Sequence, residues 1–302
     1  MKYAIGIDVG GTNIRIAVVD EEGKLYHVIK ERTKANSIDL LKEQILSLIQ
    51  RVLKDNVFSI CGIGIGVPGP VKPDGTVIYM PNLNICDSFN LRTMIQKEVD
   101  LPVFVGNDAN VAGLAEATVG SGKGYNVVQY ITLSTGIGGG LVIANKMITG
   151  ANGLAQEIGS TVIKNGGQYP YAFKPNGKPN GCIEGEASGT ALTLKAKKLG
   201  LDCSNAGDIF TLAENKNAIA IQIKKEFIMD IAAFIGNIVA YMEPDVFVLG
   251  GGIMKSKEFF FDELITKVDE YVYETLRGNV KIVCAKYDQD CGIIGAAMQA
   301  LF

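Results

Sequence analysis

Hydrophobic residues fall into short alternating or continuous runs over the first hundred residues, and most of these runs favour β-strands. Three strands joined by tight turns are predicted at Tyr3–Ile7, Ile14–Val19 and Leu25–Glu31. A helix from Ser37 to Lys54 should follow, because its apolar residues recur at intervals of three and four. The next predicted elements are a strand, a helix and a strand, at Ser59–Gly66, Asn90–Val99 and Pro102–Gly106.

The same kinds of element partly recur in the second half of the chain. They comprise a hairpin (Asn126–Leu133 and Gly139–Ala144), helices at Gly185–Leu199 and Asn217–Met242, a strand at Val246–Leu249, a helix ending near Leu276, a strand at Val280–Ala285 and a last helix from Gly292. The first-half order β-β-β-α-β-α-β is typical of a ribonuclease H-like unit, so its partial repetition predicts a duplicated α/β fold with a central cleft. This organisation resembles the two-domain actin-like fold. We expect a small domain of residues 1–110 with helix 291–302, and a large domain of residues 111–290. The segment Asn165–Gly185 has no periodicity and predicts an irregular loop.

Composition excludes several classes of function. The formal net charge of −3 offers no basic surface, so nucleic acid is not an expected partner. The apolar stretch 228–242 carries Asp230 and Asn237, which predicts a buried core helix and no membrane span. Asp8 interrupts the first apolar run too early for a signal peptide. The six cysteines include no CxxC pair, which favours reduced, mostly buried thiols in a cytoplasmic protein.

Two glycine-rich loops are the most informative features of the chain. Asp8–Thr12 and Ser134–Gly140 each join two strand-like runs. Glycine adopts backbone angles that direct N–H groups toward an anion, and it allows phosphate to approach the backbone. The predicted phosphate ligands are Gly10, Gly11, Thr12, Thr135, Gly136 and Gly138.

A third glycine cluster, Gly64-x-Gly66-x-x-Gly69, has the spelling of a dinucleotide fingerprint. That fingerprint requires a helix directly after the glycines. Pro68, Pro70 and Pro73 prevent such a helix, so the dinucleotide interpretation is rejected.

Asn107 and Asp108 follow the strand Pro102–Gly106, where a polar pair has two interpretations. Asp108 could be the N-cap of the helix that follows. It could also be the carboxylate that accepts a proton during phosphoryl transfer to a hydroxyl group. The lone histidine, His27, lies in a predicted outer strand and is a poor candidate base.

These motifs together resemble the ROK family of bacterial sugar kinases over nearly the whole chain. The resemblance rests on Asp8–Asn13, the Gly66–Pro70 turn, Asn107–Asn110, Gly150–Thr161 and Val248–Ile253. It implies ATP and Mg²⁺ as cofactors, with Asp8 holding the metal and Asp108 as the catalytic base. The other residues it implies bind adenosine (Gly250, Gly251) or sugar (Gly69, Asn82, Asn107, Glu157, Ser160, Glu184).

Two positions depart from the family pattern G-x-x-G-x-A-G-E-x-G-H. Gln156 replaces its glycine and Ser160 replaces its histidine, which in the family also binds a structural zinc ion. Pro175 and Gly177 stand where the family has two further zinc-binding cysteines, and only Cys182 remains. One thiolate does not supply the four ligands of a structural zinc site, so no structural zinc is expected.

The resemblance therefore implies transfer of the γ-phosphate of ATP to the 6-hydroxyl of a glucose- or allose-like aldohexose, in a cytoplasmic homodimer. Gly10–Arg15 and Lys30–Thr33 resemble the allose kinases of this family. Alternatives are an N-acetylmannosamine or other N-acetylhexosamine kinase, a sugar-sensing ROK regulator, and an actin-like ATPase that does not act on sugars. The regulators carry a preceding helix-turn-helix, for which Asp8 lies too early in this sequence.

Overall fold

A computed structural model describes residues 1–34, 36–54, 57–165, 175 and 177–302. The chain forms two compact units. The first comprises Met1–Tyr130, Gly140–Gln156 and Ala285–Phe302, and the second comprises Ile131–Gly139 and Glu157–Cys284. The first unit extends beyond the predicted small domain of residues 1–110 and 291–302. A physical reason is that the helix after Asp108 packs along the C-terminal helix: a β-carbon at Gly295 would lie 1.7 Å from the carbonyl oxygen of Val111.

The elements of the first half follow the predicted order closely. They are β1 (Tyr3–Val9), β2 (Asn13–Asp20), β3 (Leu25–Arg32), α1 (Ile38–Lys54), β4 (Ile60–Val67), β5 (Thr76–Val77), β6 (Phe89–Asn90), α2 (Leu91–Gln96), β7 (Val103–Asn107) and α3 (Asp108–Thr118). Five of the strands form a sheet in the order β3-β2-β1-β4-β7. β1 pairs antiparallel with β2 and parallel with β4, so Asp8 lies opposite Arg15 and beside Gly66 at one end of the sheet.

The later elements are β8 (Val127–Leu133), β9 (Ile137–Ile143), β10 (Lys146–Met147), α4 (Ile183–Ala187), α5 (Gly189–Lys198), α6 (Ala206–Glu214), α7 (Ala218–Met242), β11 (Val246–Gly250), α8 (Phe261–Val268), β12 (Ile282–Cys284) and α9 (Cys291–Leu301). A second five-stranded sheet has the order β10-β9-β8-β11-β12. The two sheets confirm the duplicated α/β architecture. About half of the predicted irregular segment Asn165–Gly185 lies outside the described residues, and its end already belongs to α4.

Two predicted helices differ from the observed ones. The helix predicted at Gly185–Leu199 is divided, because Ser188 adopts an extended conformation and its hydroxyl accepts a hydrogen bond from the backbone N–H of Ala191, which caps α5. The helix predicted to end near Leu276 is also interrupted. It is replaced by a 3₁₀ segment at Gly252–Phe259, by α8, and by a 3₁₀ turn at Glu274–Leu276.

Each unit has its own hydrophobic core. In the first unit, α1 packs Leu41, Ile45 and Ile49 against the sheet, and all three are fully buried. In the second unit, α7 carries the largest share of the core, which confirms its prediction as a buried helix despite the buried Asp230. Among the described residues, no helix has the length and apolar character needed to cross a membrane.

The cysteines differ from the expectation in their burial. All six are free thiols, but only Cys182 is buried, while Cys61 and Cys86 are exposed. The prediction of mostly buried cysteines is therefore wrong, because Cys61 and Cys86 do not contribute to the apolar faces that form the cores.

Candidate functional site

Asp8 lies near the end of β1, at the entrance to the first glycine loop. Its side chain is half-buried, and burial raises the pKa of its carboxyl group against the opposing effect of the Arg15 guanidinium. The site therefore resists a lone negative charge. A bound cation would remove that penalty, because carboxylate oxygens are preferred ligands of Mg²⁺.

The first glycine loop is a tight connection between β1 and β2. Its Gly10 N–H donates to the carbonyl of Asn13 at 2.9 Å, and the Thr33 hydroxyl donates to the Gly10 carbonyl at 2.7 Å. Gly11 and Thr12 are exposed, as phosphate ligands must be. The expectation of glycine-specific backbone angles is wrong here, since neither glycine has a positive φ. Space is the reason for glycine instead: a β-carbon at Gly10 would lie 2.9 Å from the Asn13 carbonyl oxygen.

The first glycine loop also lies beside a predicted sugar ligand of the same unit. A β-carbon on Gly11 would lie 3.2 Å from Cβ of Asn82, an exposed residue of the 3₁₀ turn Pro81–Leu83. The structure therefore brings together a predicted phosphate ligand and a predicted sugar ligand that are 71 residues apart in sequence, from 11 to 82.

Asn107 and Asp108 lie at the junction of β7 and α3, and they have different roles at the start of the helix. The Asn107 side-chain oxygen accepts hydrogen bonds from Ala109 N at 3.0 Å and Asn110 N at 3.2 Å, which makes Asn107 the N-cap. Asp108 is the first helical residue, and its Oδ1 accepts a bond from Ala109 N at 2.8 Å. The interpretation of Asp108 as the N-cap is therefore wrong, because Asn107 holds that position.

Asn107 also connects this junction to the predicted sugar-binding turn. Its side-chain N–H donates to the carbonyl of Gly69 at 3.2 Å. Gly69 must be glycine because a β-carbon there would lie 2.0 Å from the carbonyl oxygen of Tyr79. No helix follows Gly69 directly, which agrees with the rejection of the dinucleotide fingerprint.

The second glycine loop, in the second unit, is held by the start of α5. The Gly189 N–H donates to the Ser134 carbonyl at 2.8 Å, and the Thr190 hydroxyl donates to the Thr135 carbonyl at 2.8 Å. The loop thus lies at a helix N-terminus, where backbone N–H groups and the helix dipole favour an anion. Gly136 lacks a positive φ; glycine is needed because a β-carbon would lie 2.6 Å from the Glu184 carboxylate.

A cavity of ≈ 580 Å³ opens beside this loop in the same unit. Its lining includes Ser134, Thr135, Thr190, Asn205, Gly207 and Gly252. Gly251, which follows the end of β11 at Gly250, has φ 92° and would place a β-carbon 2.4 Å from the Leu133 carbonyl oxygen. The predicted adenosine loop and phosphate loop are therefore adjacent. The contribution of the start of α6, through its N-cap Asn205 and through Gly207, was missed because no sequence motif marks these residues.

Glu157 and Glu184, the predicted sugar-binding carboxylates, lie near one ammonium group. Lys178 Nζ is 3.2 Å from Glu184 Oε2 and 4.0 Å from Glu157 Oε2. Glu184 Oε2 also accepts a hydrogen bond from the backbone N–H of Ile137 at 2.9 Å. Sequence reasoning missed Lys178 because it lies in a segment without periodicity.

Ser160 and Gln156 are the two departures from the family pattern. Ser160 is the last residue of the 3₁₀ turn Ile158–Ser160, which directly follows Glu157. Its side chain is partly exposed. Gln156 has φ 72°, a region that favours glycine, and this explains why the family pattern has glycine at this position. The strained conformation of Gln156 is supported by Gln129, whose side-chain N–H donates to the Gln156 side-chain oxygen at 2.8 Å.

A buried ion cluster follows Ser160 in the chain. Lys164 Nζ lies 2.6 Å from Asp230 Oδ2 and 3.2 Å from Glu186 Oε2. Burial acts to lower the pKa of Lys164, but the charges of Asp230 and Glu186 outweigh it and raise that pKa. The cluster anchors the segment after Ser160 to α4 and α7. Over the described parts of the chain, no group of three or more His, Cys, Asp or Glu side chains is arranged to hold a metal ion.

Known proteins resemble the chain over nearly its whole length. A sequence model described as the ROK family matches residues 4–301. A glucokinase of Halalkalibacterium halodurans is 30% identical over 97% of this chain and 93% of that protein. A ROK hexokinase structure from Thermus thermophilus has a TM-score of 0.87 and 27% identity, covering 99% of this chain and 98% of that one. A ROK family glucokinase from Streptomyces griseus, solved in complex with glucose and AMPPNP, has a TM-score of 0.76 and 28% identity, covering 99% of each chain.

Proposed function

Because the chain belongs to the ROK family, we propose that it is an ATP-dependent sugar kinase that transfers the γ-phosphoryl group to the 6-hydroxyl of a glucose- or allose-like aldohexose. The observation that carries this proposal is that Asn107, and not Asp108, is the N-cap of α3. Since Asn107 caps α3, the helix does not need Asp108 as its cap. A catalytic role then explains the carboxylate of Asp108, because phosphoryl transfer to a hydroxyl requires a proton acceptor.

In the proposed reaction, the sugar hydroxyl oxygen forms a bond to the γ-phosphorus while the bond from that phosphorus to the β,γ-bridging oxygen breaks. Asp108 accepts the hydroxyl proton, and ADP leaves with the bridging oxygen. Asn107 holds Asp108 in position through its bonds to α3 and to the Gly69 carbonyl. Catalysis of this kind depends mainly on positioning and on electrostatic stabilisation.

Asp8 would hold Mg²⁺, and Gly10, Gly11 and Thr12 would bind phosphate oxygens. The residues fit that role: Asp8 is a partly buried carboxylate whose raised pKa indicates a poorly compensated charge, and Gly11 and Thr12 are exposed. Mg²⁺ typically binds one or two carboxylates together with substrate phosphates. When bound, it would neutralise charge on the phosphates.

The second glycine loop would bind the nucleotide through Thr135, Gly136 and Gly138, with the adenosine lying near Gly250 and Gly251. The cavity of ≈ 580 Å³ supports this assignment, because Thr135 and Gly252 both line it. The N-terminus of α5 at Gly189, also in its lining, favours a negatively charged group there.

The proposed ligands of the sugar hydroxyls are Gly69, Asn82, Asn107, Glu157, Ser160 and Glu184. Carboxylate and amide oxygens accept hydrogen bonds from hydroxyl groups, as sugar recognition requires. A site built to pair with hydroxyls discriminates strongly against sugars that leave its polar groups unpaired.

A coupled assay of ADP release tests this proposal across glucose, allose, mannose and the corresponding N-acetylhexosamines. We expect sugar-dependent ADP release by the wild-type protein and a loss of about 10²–10⁴-fold in kcat for Asp108→Asn, with ATP binding retained. Asp39→Asn is the matched control, because Asp39 is also an acidic residue in the first turn of a helix. It should retain wild-type activity.

Each other result has a distinct meaning. A preference for N-acetylmannosamine would favour the alternative function, an N-acetylhexosamine kinase. The small Ser160 side chain supports this alternative by leaving room beside the sugar. ADP release that is independent of sugar indicates an ATPase of another kind. Sugar binding without turnover indicates a sugar-sensing regulator. Near wild-type kcat in Asp108→Asn would refute Asp108 as the base.

A further inference from the structure

Lys178 lies close to both proposed sugar-binding carboxylates. Its ammonium nitrogen lies 3.2 Å from Glu184 Oε2 and 4.0 Å from Glu157 Oε2. Only 18% of its side chain is exposed, compared with 42% for Glu157, so the ammonium group is largely enclosed. Enclosing the Lys178 side chain costs conformational entropy, so the contacts of its ammonium group must compensate for that cost.

The two oxygens of the Glu184 carboxylate are used differently. Oε2 accepts hydrogen bonds from Lys178 Nζ at 3.2 Å and from Ile137 N at 2.9 Å. Oε1 accepts none from the part of the chain that the structure describes. Two donors on one oxygen fix the plane of the carboxylate, and they leave the other oxygen available for a ligand hydroxyl.

Two glycines create the space for this arrangement. A β-carbon at Gly159 would lie 2.9 Å from Lys178 Nζ and 3.2 Å from Glu184 Oε2. A β-carbon at Gly136 would lie 2.6 Å from the same Glu184 oxygen. The backbone on both sides therefore leaves room for the ion pair.

From these contacts we propose that Lys178 is a positioning and specificity-determining residue for the sugar, an inference that rests on the proposed function. Its ammonium holds Glu184 so that Oε1 receives a sugar hydroxyl, and it reduces the repulsion between Glu184 and Glu157. An ammonium group has three N–H donors, so Lys178 can also donate to a sugar oxygen. Sugars that place a hydroxyl against Glu184 Oε1 are favoured over the deoxy analogues that lack this hydroxyl.

The experiment compares Lys178→Met with the wild-type protein in steady-state kinetics and in calorimetric titration of sugar without nucleotide. We expect the sugar KM and Kd to rise roughly ten- to a hundredfold, because a largely enclosed carboxylate loses its partner. The KM for ATP should stay within about twofold and kcat within about threefold, since uniform loss of ground-state and transition-state binding appears in KM. Lys178→Arg should recover part of the sugar affinity.

Lys224→Met is the matched control in the same unit. Lys224 also contacts two carboxylates, at 3.1 Å to Glu214 and 3.8 Å to Glu263, and its side chain is 16% exposed. It should change neither sugar nor ATP kinetics. If Lys178→Met changes thermal stability and ATP affinity as much as sugar affinity, Lys178 is merely structural and the inference is refuted.

Failure of the two proposals can be told apart. If the wild-type protein neither binds nor phosphorylates any sugar of the panel, the proposed function and the role of Lys178 are both overturned. If the wild-type protein phosphorylates a sugar and Lys178→Met does so with an unchanged sugar KM, only the role of Lys178 is overturned.

Discussion

The carboxylate of Asp8 packs directly against Gly292. A β-carbon at residue 292 would lie 2.8 Å from Asp8 Cγ and 2.9 Å from each carboxylate oxygen. Gly292 belongs to the first turn of α9, so a residue near the end of the chain shapes the surroundings of the proposed magnesium ligand near its beginning.

We predict that Gly292→Ala impairs the Asp8 site. The added methyl group must displace either the Asp8 side chain or the start of α9, at a cost of about 1–3 kcal/mol for overpacking. Urea unfolding should show reduced stability, and the Mg²⁺ concentration for half-maximal activity should rise several-fold. An unchanged Mg²⁺ requirement would mean that the Asp8 carboxylate moves aside without consequence.

Replacement of Asp8 by Asn should raise the stability of the protein and lower its activity. Burial raises the pKa of Asp8, so the folded protein binds this proton more tightly than the unfolded chain does. The free energy of unfolding therefore falls as pH rises through the unfolded pKa of 3.8, and the penalty persists at neutral pH. Asp8→Asn removes that penalty, so it should raise Tm in a chelator at pH 7 while activity falls at least about a hundredfold.

Asp20 provides the contrasting control for Asp8. Its carboxylate is buried but accepts hydrogen bonds from Glu22 N and Lys24 N at 2.9 Å each and from the Tyr26 hydroxyl at 3.0 Å. Asp20→Asn should lower Tm and leave the Mg²⁺ requirement unchanged, because it replaces a well-paired carboxylate. A lower Tm for Asp8→Asn as well would contradict the assigned effect of burial.

Local pattern was sufficient to predict much of the first half of the fold. The turn after Asp8, the amphipathic helix α1 and the polar pair after β7 all follow from residues close in sequence. One of the two interpretations of Asp108 made it the N-cap of α3, whereas Asn107 holds that position. Either side chain suits a cap, and only the observed backbone distinguishes them.

The role of Lys178 was not predicted because it depends on a contact between residues that are distant in sequence. Lys178 reaches Glu157 across 21 residues of chain, from 157 to 178, that include a stretch without periodicity. The break between α4 and α5 at Ser188 also escaped prediction, because the sequence Gly185–Leu199 contains no proline to mark it. Ser188 instead uses its hydroxyl to start a second helix.

We predict that the purified protein holds well below one zinc ion per chain. Ser160, Pro175 and Gly177 cannot replace the expected ligands, and burial raises the pKa of the remaining Cys182 thiol, which disfavours the thiolate that zinc requires. Elemental analysis of protein purified without chelator measures this directly. EDTA should leave Tm unchanged, whereas stoichiometric zinc lost together with stability would refute the prediction.

Ser160→His should shift sugar preference toward glucose. The serine side chain is shorter than the family histidine and leaves room for another C2 or C3 configuration or for an N-acetyl group. We expect wild-type kcat/KM on glucose to be no better than on allose or N-acetylmannosamine, and the substitution to change the ratio roughly ten- to a hundredfold. Ser160→Ala, which adds no bulk, should not produce this shift.

A result in which the wild-type protein strongly prefers glucose and Ser160→His changes nothing would show that residue 160 does not contact the sugar. The panel of sugars used for ADP release provides the necessary ratios.

The packing of α9 also affects how the chain folds during synthesis. Gly6 and Gly64, on β1 and β4, allow close approach of this helix, because β-carbons there would lie 2.2 Å and 1.7 Å from the carbonyl oxygens of Ile293 and Ala296. A ribosome that has translated residues 1–130 has not yet made the helix that covers this sheet. The second unit is complete at Cys284, whereas the first must wait with one apolar face uncovered. Stalled or truncated chains that lack α9 should therefore be recognised by chaperones through β1 and β4.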